Sequence, residues 1–307
     1  MTYFRIQTTV NQTNNKICYQ NATFFVGSCF AENISEKFIY YKLKNLANPF
    51  GVMFNVFSIE NTFLRILRKT PFEQADLFEH NQLWSSLEVH SRWSDTNPEL
   101  LIEKLNQQLC LAHDFLKKAT HIVISLGSSW VYKHKPTNKY VANCHKISQS
   151  EFNKELISVE ETVDALNNIR KLLLDKIIIV TISPVRHYKD GFFENNVSKS
   201  HLFSAVYQLR NQFEYFPSYE IINDELRDYR FFSQDMIHPN QIAVDYVWDK
   251  FSESYLTSQA KNTAKEVDQI RKALAHKPIN SESLEHQIFL KRTQQKIQQL
   301  GSIWEQQ

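Results

Sequence analysis

In the string DMIHPN, Asp235 stands three residues before His238, ahead of an apolar helical pattern. An aspartate within a turn of a histidine can accept its Nδ1 proton and fix the tautomer. It then supports the imidazolium formed when Nε2 takes a proton from a nucleophile. The same spacing serves a helix-capping aspartate beside a structural histidine. Far upstream, the run ATFFVG ends at Gly27 and is followed by Ser28 and CFAEN. A hydroxyl there would stand at a helix N-terminus, whose free amides and partial positive charge favour an oxyanion. Ser28 could equally cap that helix. A strand-terminal G-S joined to a late D-x-x-H points to nucleophilic catalysis by serine.

The loop SPVRHYKDG (183–191) is dense in groups that are expensive to bury: Arg186, His187, Lys189 and Asp190, with Asn195, Asn196 and Lys199 just beyond. Arg186 could clamp a substrate carboxylate or phosphate through its bidentate fork, or pair structurally with Asp190 or Asp228. Asn143, Cys144 and His145 form a second triad-like set, although sequence neighbours rarely face each other productively. Cys29 reads as a small buried residue. Trp84, His90 and Trp93 lie in a segment that could form a lid or pocket wall. Without H-E-x-x-H, a close histidine pair or a carboxylate-rich loop, neither a metal nor another cofactor is expected.

Positioning these groups requires a sheet edge. Short β-prone runs at Thr23 to Val26, His121 to Leu126, Lys176 to Ile182 and Tyr219 to Ile222 alternate with helical patterns at Ala31 to Tyr41, Val159 to Leu174, Ser198 to Phe213 and Gln241 to Phe251. Such alternation predicts βαβ units around a parallel sheet, with ligands outside the carboxyl ends of the strands. Asn97 before Pro98, and Ser158 with Glu161, mark helix starts. The chain has only five glycines in 307 residues, where average usage predicts roughly 21. None completes a dinucleotide-binding, P-loop or G-x-S-x-G motif, yet Gly27, Gly51 and Gly127 all fall where a strand or loop ends. A net charge of +2 gives no electrostatic case for nucleic acid. The absence of a secretory apolar stretch, of a membrane span and of paired cysteines predicts a cytoplasmic protein with free thiols. From Ser258 the chain is rich in Gln, Lys and Glu, with amphipathic stretches at about 260–275 and 282–300. These predict a helical appendage packed on the body or on a second copy in a homo-oligomer.

The string GSCFA (27–31) resembles the signature of the GSCFA domain family, which looks like a branch of the SGNH/GDSL hydrolase superfamily. NPFG (48–51), LGSSWVY (126–132), NCHK (143–146), SPVRHYKDG (183–191), SK (198–199), YFPSYE (215–220), DELRDYRFF (224–232) and DMIHP (235–239) resemble it in order. The resemblance thus covers most of residues 20–251. It implies an α/β fold, a three-layer, flavodoxin-like parallel sheet, with an SGNH hydrolase-like domain at 1–257 and the helical extension at 258–307. By position, Ser28 would be the nucleophile, His238 the general base and then acid, Asp235 its orienting carboxylate, and Gly51 an oxyanion-hole amide. Where many relatives of the superfamily have G-x-N-D, this chain has Gly127-Ser128-Ser129-Trp130. Ser129 could donate in place of the missing Asn, or Asn143 could reach in. The function so implied is a serine esterase or acyltransferase acting through an acyl-enzyme on a small-molecule or glycan O-acyl ester. The competing expectation is a degenerate domain that binds an anionic or glycan ligand without turnover.

Overall fold

A computed structural model describes residues 6–280 and 282–305. Strand β1 (Thr23–Gly27) runs into helix α1 (Cys29–Tyr40), and the chain returns as β2 (Asn45–Ala47). Helix α2 (Val56–Arg68), a hairpin of β3 (Phe78–His80) and β4 (Leu83–Ser85), and the long helix α3 (Pro98–Lys118) follow. Next come β5 (His121–Leu126) and an antiparallel sheet of β6 (Trp130–His134), β7 (Lys139–Tyr140) and β8 (Phe152–Leu156). Helix α4 (Val159–Leu172), β9 (Ile177–Ile182), α5 (Phe192–Gln208), β10 (Glu214–Tyr215), the single-turn α6 (Ser218–Glu220) and α7 (Gln241–Tyr255) complete the body. Helices α8 (Ser258–Ala275), α9 (Leu284–Leu300) and α10 (Ser302–Glu305) form the tail. Among the described residues, no helix is long and apolar enough to cross a membrane.

The main sheet has the order β10-β9-β5-β1-β2, and every pairing in it is parallel. Alternate side chains explain why both faces are covered. Phe24 and Val26 of β1, Ile122 and Ile124 of β5, and Ile178 and Val180 of β9 point into one core, with Ile59, Phe63, Leu105, Leu166 and Leu202 from α2 to α5. Phe25, Val123 and Ile179 point the other way, against Ile34 and Phe38 of α1 and Val247 and Phe251 of α7. The result is a three-layer α/β arrangement, as the alternating runs imply. Counted within the sheet, the strands lie in the order 2-1-3-4-5, so the winding reverses between β1 and β5. A crevice opens at the carboxyl ends of those two strands, the place where open α/β sheets bind ligands.

The anticipated helix starts hold. Asn97 Oδ1 accepts the Leu100 amide at 2.8 Å, and Ser158 and Glu161 form the reciprocal capping box at 3.0 and 2.8 Å. Two expectations need correction. Tyr219 to Ile222 is not a strand: the edge strand is β10, and the chain turns helical at α6, continuing as a π-helical stretch over Ile221–Leu226. Pro217, which has no amide to add to a ladder, ends the edge strand. Ser218 then ties the turn to the sheet by donating to the Ile182 carbonyl at 2.8 Å. Helix α5 also begins six residues ahead of the expected Ser198, at Phe192. The tail packs on the body: Ala260 of α8 joins the second core, and Tyr40 of α1 donates to Asp268 at 2.9 Å. Helix α9 packs on α8 through Leu300 against Val267 and Ile270.

Candidate active site

A cleft of about 440 Å³ lies beyond the carboxyl ends of the central strands. Its walls come from the first turn of α1, the loops after β5 and β9, the Asn143 loop and the turn before α7. His238 lines it with Asp235 behind: Nδ1 of the histidine bonds Asp235 Oδ2 at 2.6 Å. Asp235 Oδ1 also accepts the amides of Ile237 and His238 at 2.9 and 3.0 Å. Those donors, the His238 amide foremost, hold the Asp235 carboxyl down to about 2. Closing so short a turn puts Met236 at φ +59°, a left-handed conformation uncommon for a side chain with a Cβ. Asp235 therefore does more than cap a helix. The α7 cap is Asn240, which accepts the Ala243 amide at 3.1 Å.

Ser28 occupies a different kind of place. It is 1% exposed and does not line the cleft. Its Oγ accepts the Phe30 amide at 3.2 Å, capping α1, and shares a hydrogen bond with Ser125 Oγ at 2.7 Å. Those partners, rather than His238, satisfy it. The next residue, Cys29, is the one that lines the cleft. Gly27 sets this junction. It has φ +124°, its amide donates to Asn48 Oδ1 at 2.8 Å, and a Cβ on it would sit 2.1 Å from the Ser125 carbonyl oxygen.

The oxyanion candidates separate cleanly. Gly51 does not line the cleft; its amide closes a turn onto the Asn48 carbonyl at 2.8 Å. Its φ of +91°, and the His90 Cβ that a side chain would strike at 2.2 Å, explain why glycine stands there. Ser129 is fully buried and committed to α5, its amide donating to Ser198 Oγ at 2.7 Å and its hydroxyl to the Ser198 carbonyl at 3.0 Å. Asn143, by contrast, does line the cleft. Its Oδ1 accepts the His145 amide at 2.8 Å, which fixes the orientation of the carboxamide and leaves Nδ2 as the donor for a ligand. Cys144 also lines the cleft, with burial pushing its thiol up to about 11. His145 is no base for it, because Nε2 is bonded to the Val89 carbonyl at 2.9 Å.

Arg186 lies between the cleft and a neighbouring cavity of about 250 Å³. Neither expected partner pairs with it: Asp190 is bonded to Lys154, and Asp228 to Arg230 at 2.9 Å. The guanidinium instead packs over the rings of Phe232 and Tyr229, at 5.2 and 5.6 Å. That geometry keeps its charge oriented and available to an anion. Trp84 and Trp93 pack on the core rather than on the cleft, and His90 does not line it.

Two groups that the sequence marks only as part of a dense polar segment have defined places at the site. Lys199 is 2% exposed, and its ammonium donates to the carbonyls of Gly127 and Ser183 at 2.6 and 2.8 Å. It thereby ties together the loops leaving β5 and β9, and burial pushes it down to about 7. His187 lines the cleft edge-on to Phe54, ring centroids 5.3 Å apart. Burial, with Lys199 nearby, pushes it down to about 4, so the ring is neutral. A lysine in the middle of a helical pattern carries no sequence signal of burial; only the close approach of two strand ends makes it one. A family model described as "GSCFA family" matches residues 22–251, and one described as "GSCFA domain protein, C-terminal domain" matches residues 267–305. No curated protein matches the chain.

Proposed function

We propose that this chain, which belongs to the GSCFA family, catalyses acyl transfer from O-acyl esters on an SGNH-type, flavodoxin-like layout. The supporting observation is the Asp235–His238 pair, bonded at 2.6 Å, whose histidine lines the same cleft as the first turn of α1. Asp235 holds Nδ1 as the donor, so Nε2 is the basic nitrogen that takes a proton from a nucleophile and returns it to the leaving alcohol. A nucleophile at the head of α1 attacks the acyl carbonyl, and the carbonyl oxygen becomes an oxyanion. Asn143 Nδ2 donates to that oxygen. An acyl-enzyme forms, and water or an acceptor hydroxyl releases the acyl group through the same histidine. The cleft's apolar wall of Phe54, Trp130 and Val185 suits the acyl portion, and Arg186, paired with neither Asp190 nor Asp228, suits an anionic group on the remainder.

The test is turnover of p-nitrophenyl acetate and butyrate by wild type, His238→Ala, Asp235→Asn and the double variant. Each single change should lower kcat/KM by about 10² to 10⁴, with the double variant little worse than His238→Ala because the pair acts as a unit. Wild-type turnover unaffected by either change would remove the proposal. A wild-type chain with no ester turnover would remove it as well, and anion binding at Arg186 without turnover is then the reading that remains.

A further inference from the structure

We infer that the nucleophile is the thiol of Cys29, so that the covalent intermediate is a thioester rather than a serine ester. The inference rests on the acyl-transfer reading above and assigns the one role that reading leaves open. Three observations carry it. Ser28 is 1% exposed, outside the cleft lining, and its oxygen is held by Ser125 Oγ at 2.7 Å and the Phe30 amide at 3.2 Å. Attack from there would require breaking both bonds and opening the head of α1. Cys29, one residue on, lines the cleft that His238 and Asn143 also line. It is a free thiol.

The surroundings suit a thiolate formed during reaction. Cys29 is the first residue of α1, where the free amides of a twelve-residue helix favour negative charge on sulfur. The Cys29 and Phe30 amides and the buried Lys199 ammonium all favour the thiolate, while burial first and Glu32 second oppose it. The resting thiol is consequently held up as S–H, and a base has to take its proton. His238 supplies that base. In the balanced cycle, Nε2 takes the Cys29 proton, sulfur bonds to the acyl carbon, and the ester C–O bond breaks. The departing alkoxide receives the proton from His238. Water, or an acceptor hydroxyl, then loses a proton to His238 and attacks the thioester. The C–S bond breaks, and the proton returns to sulfur. A thiol needs less activation than a hydroxyl for the same attack, which accords with a histidine 49% exposed in its side chain.

The experiment treats the full chain with p-nitrophenyl acetate, quenches with acid, maps the acetyl group by peptide mass spectrometry, and measures turnover by Cys29→Ala and Ser28→Ala. Expected are an acetyl on Cys29 that neutral hydroxylamine removes, a loss of at least about 10³-fold in Cys29→Ala, and turnover within threefold of wild type in Ser28→Ala. If both variants lose turnover, the acetylated residue in wild type decides: Cys29 supports the inference, and Ser28 overturns it. Turnover retained by Cys29→Ala also overturns it, while leaving acyl transfer itself standing. A wild-type chain that neither turns over the ester nor becomes acetylated overturns the acyl-transfer reading, and this assignment with it.

Discussion

Asn143 Oδ1 accepts the His145 amide at 2.8 Å, which leaves Nδ2 as the donor toward the cleft. If Nδ2 donates to the oxyanion, Asn143→Ala should lower kcat by about 10² to 10³ with little change in KM. Ser129→Ala, which removes a bond to α5, should leave kcat unchanged and cost about 1 kcal/mol of stability. Steady-state kinetics and denaturant melts on the two variants separate these outcomes. His187 makes a pH prediction. Its folded value near 4 lies below the value of roughly 6.5 for a free histidine. Between the two the unfolded chain binds the extra proton, so stability rises with pH through that window. The contribution is fully present above about 6.5 and is lost as pH falls through 4. His187→Gln should therefore flatten the decline of the urea midpoint between pH 7 and 4, and parallel slopes in the two proteins would contradict the neutral ring. At this scale the sequence was legible where spacing alone decides, as in Asp235 and His238, which a tight turn must bring together. It was not legible at the strand-to-helix junction. There a single residue of phase separates Ser28, pinned beneath the helix, from Cys29, which faces the cleft.

Elements position these groups through a few junctions. Gly27 joins β1 to α1 at φ +124°, with the Ser125 carbonyl in the space a Cβ would need. Gly27→Ala should destabilise the fold by more than about 1 kcal/mol, and should depress ester turnover at temperatures where the chain remains folded, because the head of α1 must shift. Thermal melts alongside kinetics below the transition read both effects. Lys199 works between elements, tying the exits of β5 and β9. Lys199→Met removes both bonds, and a buried carbonyl that loses its donor costs about 1 to 3 kcal/mol. The three central strands could be read in the sequence because continuous apolar runs buried on both faces have few alternatives. The β6–β8 sheet could not, since strands such as WVYKH and FNKEL carry polar residues and lie outside the main sheet. Tyr219 to Ile222 misled because a short apolar run fits a buried helix as well as a strand, and Pro217 tips it toward the helix.

In the whole molecule, the proposed chemistry and the reinforcement by the tail sit at opposite ends of α1. Cys29 opens that helix at the cleft, while Tyr40 and Ile39 at its far end, roughly 16 Å away at 1.5 Å per residue, meet Asp268 and Arg271 of α8. Deleting residues 277–307 uncovers Val267 and Ile270. It should lower the melting temperature by several degrees while leaving kcat/KM within about twofold. A large loss of turnover at equal folded fraction would mean that the tail reaches the site in a way the packing does not show. In the proposed mechanism the Asp235–His238 pair drives acyl transfer in the cleft at the strand-order reversal. Stopped-flow release of p-nitrophenol in a single turnover, with enzyme in excess of p-nitrophenyl acetate, isolates the acylation step from everything after it. His238→Ala should slow this first turnover by about 10² to 10⁴; equal rates in variant and wild type would rule out His238 as the base.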